Sequence, residues 1–140
     1  MQLSDHIDGL FFKDIELVPG WKGAYLLVFE LHQGKFLDIG KLGRHLFDTG
    51  IYGYAGSAYG SGGLAARLKT HFRQSVRRHW HIDSFYKEAT CVGVWVFRLG
   101  RECDVVETLL TIPDSIYQTH GFGSSDCRNC KSHLIRLPSS

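Results

Sequence analysis

A chain of 140 residues, 44% hydrophobic and 21% charged, suits a single domain with one core and excludes a wholly disordered polypeptide. No apolar run is long enough to cross a bilayer as a helix. The formal charge of +2 says little by itself, but between Thr49 and Ile82 there is no Asp or Glu, while Arg67, Lys69, Arg73, Arg77 and Arg78 stand there with His71, His79 and His81.

The N-terminal residues carry Asp5 and Asp8 where a secretory signal would be basic and then apolar, so a cytoplasmic protein is expected. Four cysteines are too few for a disulfide scaffold at this length, and the thiols are read as reduced. Residues 1–22 end near the turn signal Pro19-Gly20 and read as an N-terminal arm packed on the main unit, 23–140. Tyr25 to Leu31 is a β-rich run, and Gln33-Gly34 reads as a hairpin turn into Lys35 to Ile39. A turn at Gly40 to Gly43 leads to another short extended stretch, and Ile51 to Ser57 reads as a strand, so an antiparallel meander is expected.

Gly60, Gly62 and Gly63 break the chain before a helix over 64–74, where Leu64, Leu68 and Phe72 recur at four-residue steps. A second helix is predicted over 82–87. In Thr90 to Leu99, apolar residues of both parities predict a strand buried on both faces. Glu102 to Thr111 fits a further helix stopped by Pro113, and His133 to Leu137 a last strand. The fold class is α/β of the α+β type: a small central antiparallel sheet flanked by helices.

Arg67 and His71 are one helical turn apart at the edge of the apolar stripe, where a side chain is half-buried and can meet a ligand in a cleft. The arginine fork can hold two phosphate oxygens, and the histidine can donate or relay a proton. Glu102 precedes Val105, Val106 and Leu109 by three, four and seven residues and so shares their inward stripe. A carboxylate there needs a cation or hydrogen bonds, and magnesium or manganese would meet that need; the plainer alternative is an acid favoured by the helix dipole. Tyr25 and Tyr54 stand near Gly23 and Gly56, which permit close backbone approach.

The basic stretch attracts phosphate backbones, with Lys69, Arg73, Arg77, Arg78 and His81 as contacts; a solvated basic helix is the alternative. The Gly-rich run 121–125 would add a backbone anion cradle at Ser125. Cys127, Cys130 and His133 have a spacing that can grip zinc if Cys103 or His120 supplies a fourth ligand; reduced structural thiols are the alternative.

These segments resemble the GIY-YIG nuclease superfamily, and within it a prokaryotic branch with the series YxYxGSA, GLxxRLxxH, WHID, EC and GFGSSDC. The matching pieces are Tyr52 to Ala58, Gly63 to His71, Trp80 to Asp83, Glu102-Cys103 and Gly121 to Cys127, and the likeness extends over roughly Gly23 to Leu137. The first motif reads Gly23-Ala24-Tyr25, the long interval from Tyr25 to Tyr54 implies an inserted β-hairpin, and the only asparagine, Asn129, lies far downstream.

The resemblance implies a three-stranded antiparallel sheet, flanking helices and metal-dependent hydrolysis of DNA phosphodiesters, with DNA repair as a setting. By motif, Tyr25 and Tyr54 would position or deprotonate the attacking water, Arg67 would bind the scissile phosphate, His71 would assist, and Glu102 would hold the metal. The expected function is a DNA endonuclease, acting also on branched or single-stranded nucleic acid. The alternatives are a non-catalytic nucleic-acid-binding module of the same fold and a zinc- or thiol-based interaction protein.

Overall fold

The computed structural model describes residues 3, 6–38, 42–72, 88–117 and 132–138, with the side chains of residues 70–72 outside that description. In chain order, β1 (Leu10–Phe12) and a 3-10 turn (Ile15–Leu17) precede β2 (Gly23–Leu31), β3 (Lys35–Asp38), β4 (Arg44–Phe47) and β5 (Gly50–Ala58). Helix α1 (Gly63–Phe72) follows, then β6 (Thr90–Arg98), helix α2 (Glu102–Leu110), β7 (Ile116–Tyr117) and β8 (Leu134–Leu137). The helix predicted over 82–87 lies outside the described residues.

The protein is α+β. Six strands form one sheet in the order β1-β6-β2-β5-β8-β7, and every pairing is antiparallel. The resemblance implied three strands. The central trio β6-β2-β5 is widened by β1 on one side and by β8 and β7 on the other, which gives partners to ladder groups of β6 and β5 that would otherwise face water. The N-terminal arm thus contributes a strand to the sheet. It also supplies the 3-10 turn, capped by the Asp14 carboxylate, which accepts from the backbone N–H of Glu16 at 2.9 Å.

The expected meander is corrected in one respect. β2 does not pair with β3; it pairs with β5 along its whole length, from Gly23↔Ala58 to Leu31↔Gly50. β3 and β4 pair only with each other, as a separate hairpin between the two long strands. Its inner residues Leu37 and Phe47 join the core, whereas Phe36 and Leu46, opposite each other across the hairpin, are exposed. A second departure concerns β6: the register with β2 shifts between Val28 and Phe29, so Val92 is exposed and Cys91 packs on the core in its place. A bulge of this kind lets Cys91 and Val94, three positions apart, face the same cluster.

The sheet divides the core in two. Tyr25, Leu27 and Phe29 of β2, Tyr52 and Tyr54 of β5, and Val94 and Val96 of β6 pack with Leu64 and Leu68 of α1. Ala24, Leu26 and Val28, on the alternate positions of β2, pack with Ala55, Ile135, Leu137 and Val105, Val106 and Leu109 of α2. Successive strand side chains point to opposite faces, so α1 and α2 cover opposite faces of the sheet. Burial of Leu64 and Leu68, each 0% exposed, holds α1 in place at about 1.5–3 kcal/mol per side chain. None of the described helices is long and apolar enough to cross a membrane.

Tyr52 adds a pH-sensitive element to this core. Its hydroxyl donates to the Asp48 carbonyl at 2.6 Å, and burial pushes its pKa above the ordinary 10.0; Arg136 opposes that shift and Asp48 adds to it. A raised folded-state pKa gives stability that is complete below the unfolded value and lost as pH rises through the folded one. Melting temperature should therefore fall as pH climbs past about 10. Tyr52→Phe should flatten that fall while costing about 1 kcal/mol at neutral pH for the lost hydrogen bond. A wild-type and variant pair with parallel alkaline profiles would contradict this.

Candidate functional site

α1 is seated on the sheet by its first two residues. Gly63 has φ +59°, and a Cβ there would run into the carbonyls of Gly20 and Trp21, while the backbone N–H of Leu64 donates to the Trp21 carbonyl at 2.8 Å. Only glycine enters this left-handed position without strain. From that seat the helix sends Leu64 and Leu68 into the core and leaves Arg67 half-buried at the edge of the stripe, with Lys69 exposed. His71 belongs to the last turn of α1, and its side chain lies outside the described residues.

Tyr25 and Tyr54 share the cluster that holds Leu64 and Leu68, so both motif tyrosines lie on the face α1 covers. Tyr25 pairs with Gly56, and a Cβ at that glycine would overlap the Tyr25 hydroxyl and ring. The glycine is what lets the tyrosine lie across β5. Tyr25 is 1% exposed and Tyr54 6%. At that burial Tyr25 is a fixed part of the α1-side packing.

Glu102 opens α2 and is half-buried; Asp104 shares that first turn, and both acids are favoured there by the helix dipole. α2 packs on the face opposite α1, so Arg67 and Glu102 are not side by side across one surface of the sheet. What they share is an end of it. Gly23, Ala58 and Arg98 pair in a row at that end, and both helices begin just beyond it, α1 at Gly63 and α2 at Glu102. Magnesium is commonly held by one or two carboxylates while keeping several waters, so a single half-buried glutamate suits it. Among the described residues no group of three or more His, Cys, Asp or Glu side chains forms a fuller metal cage.

The loops at this end are tied together. The N–H of Leu99 donates to the Lys22 carbonyl at 2.8 Å, the Tyr59 hydroxyl to the Gly100 carbonyl at 2.6 Å, and the Lys22 ammonium to the Gly60 carbonyl. Arg98 lies 5.3 Å over the Trp21 ring, and Arg101, exposed at the N-cap of α2, makes no side-chain capping bond. Sequence reasoning missed these residues. They come from three segments spread over 80 positions, and no local spacing links them.

Of the expected nucleic-acid contacts, Lys69 is exposed on α1, while Arg73, Arg77, Arg78, His81 and Ser125 lie outside the described residues. The same is true of Cys127, Cys130 and His120 from the zinc expectation. His133 is 2% exposed, and its Nε2 has no hydrogen-bond partner among the described residues; its carbonyl accepts from the Ala55 N–H at 2.9 Å. Cys103, in the first turn of α2, carries a thiol outside any disulfide and packs on the α2-side cluster.

Comparison with curated proteins and with solved structures gives no match. One family model does match, over residues 24–140, a span that takes in both helices and Tyr25, Tyr54, Arg67, His71 and Glu102. The chain therefore belongs to the family described as Domain of unknown function DUF123.

Proposed function

We propose that this chain is a divalent-metal-dependent endonuclease that hydrolyses phosphodiester bonds in DNA, including branched or single-stranded substrates, in the cytoplasm. The observation that carries this reading is the common end of the sheet from which α1 and α2 both start, one with a half-buried arginine and the other with a half-buried glutamate. The GIY-YIG-like order of Tyr25, Tyr54, Arg67, His71 and Glu102 supports it. Arg67 holds the scissile phosphate and stabilises the charge that develops on its oxygens. Tyr25, near the start of β2, and Tyr54, midway along β5, pack under α1 and steady the strands against which the phosphate and the attacking water are aligned. Glu102 would hold magnesium or manganese, which when bound neutralises phosphate charge. His71 assists by donating a proton.

The test is purified protein with labelled single-stranded, duplex and branched DNA. Products are expected with magnesium or manganese and none with EDTA. Cleavage no faster than that of an Arg67→Ala, Glu102→Ala double variant would remove the enzyme reading. Two observations favour a second reading, a nucleic-acid-binding module without turnover: α1 and α2 lie on opposite faces, and Tyr25 is 1% exposed. Binding that falls steeply with salt and is indifferent to metal would support that module instead.

A further inference from the structure

The end of the sheet carries more than the start of two helices. Lys22, Arg98 and Arg101 are exposed there, and none of them is ion-paired among the described residues. Tyr59 is 49% exposed, yet its hydroxyl is pinned to the Gly100 carbonyl, so its ring is presented at little cost in rotamer freedom. Leu99 is 71% exposed and adopts φ +61°. A leucine in the left-handed region is strained, and such strain persists where surrounding bonds impose it. Here the Leu99 N–H to Lys22 and the Gly100 N–H to the Phe97 carbonyl, both 2.8 Å, impose it. The fold thus holds an apolar side chain out into water between two exposed arginines.

We propose that this rim, formed by Lys22, Tyr59, Arg98, Leu99 and Arg101, is the seat of a single nucleic-acid strand. An unstacked base lies on the Tyr59 ring and against Leu99, and the cations meet the phosphates on either side. The partner class rests on the phosphodiester-cutting reading above; the choice of a single strand rests on the rim itself. A duplex keeps its bases stacked and has no use for an exposed ring and leucine, whereas ring stacking with flanking cations is how single strands are held. Trp21 is not part of the seat: its face is already covered by Arg98.

The experiment is fluorescence anisotropy of labelled single-stranded and duplex DNA in EDTA, across a salt series, with cleavage assayed separately in magnesium. Tyr59→Ala should weaken single-strand binding roughly tenfold and duplex binding much less, while Tyr59→Phe, which keeps the ring, stays close to wild type. Arg98→Gln and Arg101→Gln should each lower the slope of log affinity against log salt by about 0.7. Leu99→Gly relieves the strained backbone, so it should weaken strand binding without lowering the melting temperature. No single-strand binding by the wild type, or equal loss of duplex and single-strand binding in Tyr59→Ala, overturns the rim proposal whatever the cleavage assay reads. Self-association abolished by Leu99→Gly, with strand affinity unchanged, assigns the patch to a second copy of the chain and overturns it too. Absent cleavage with intact Tyr59-dependent binding overturns the cutting reading alone.

Discussion

Arg67→Ala should lower the rate of DNA cleavage by about 10² to 10³-fold, the usual loss when one preorganised donor to a developing oxyanion is removed. Arg67→Lys should recover only part of this, because an ammonium cannot reproduce a two-pronged hold on phosphate. Glu102→Gln should lose a comparable factor, and its residual activity should no longer respond to magnesium. The two lesions differ in what they leave behind. Arg67→Ala should also weaken metal-free binding of DNA, whereas Glu102→Gln should bind at least as well as wild type, since it removes a negative charge near the substrate.

The Arg67→Ala, Glu102→Gln double variant completes the set and is its informative member. Residues that act on one transition state are strongly non-additive, so the pair should be little worse than the poorer single variant. Full multiplication of the two losses would mean that Arg67 and Glu102 act independently. That result is a real hazard for the proposal, because the helices bearing these residues sit on opposite faces of the sheet. Steady-state kcat/KM for the four proteins, with circular dichroism to show that each is folded, reads the outcome.

The largest effect on stability is expected at Gly56. Replacing a strand glycine by alanine usually gains about 0.5–1 kcal/mol of backbone entropy. Here the new methyl would overlap the Tyr25 hydroxyl and ring, and Tyr25, at 1% exposed, is hemmed in by the α1-side cluster. Overpacking a filled core costs about 1–3 kcal/mol or more, which outweighs the gain. Gly56→Ala should therefore lower the urea midpoint by an amount equivalent to about 2 kcal/mol. Combining it with Tyr25→Leu should cost less than the sum of the two single changes, because the clash leaves with the ring. Strict additivity would show that the tyrosine does not lie over Gly56.

The long elements were legible from residue order. The helix read over 64–74 is Gly63–Phe72, the one read over 102–111 is Glu102–Leu110, and the strand read over 90–99 is Thr90–Arg98. Each is long enough for its apolar period to declare itself. β1 and β7, of three and two residues, were not legible, since a segment that short becomes a strand only because a longer neighbour offers its ladder. Burial of Tyr25 was likewise hidden: the sequence placed a glycine near it but could not say that Gly56 is its cross-strand partner.

Taken alone, then, the amino-acid order determined the α+β class, the three long strands, the apolar stripes of both helices, and the edge position of Arg67 beside Leu64 and Leu68. Tertiary structure decided that β2 bypasses the hairpin to pair with β5, that α1 and α2 cover opposite faces, and that Lys22, Tyr59, Arg98 and Arg101 meet at one end. The reason is physical: periodicity says which side chains of one element point together, but the face they meet depends on pairings between distant segments, and those follow from packing the whole core at once.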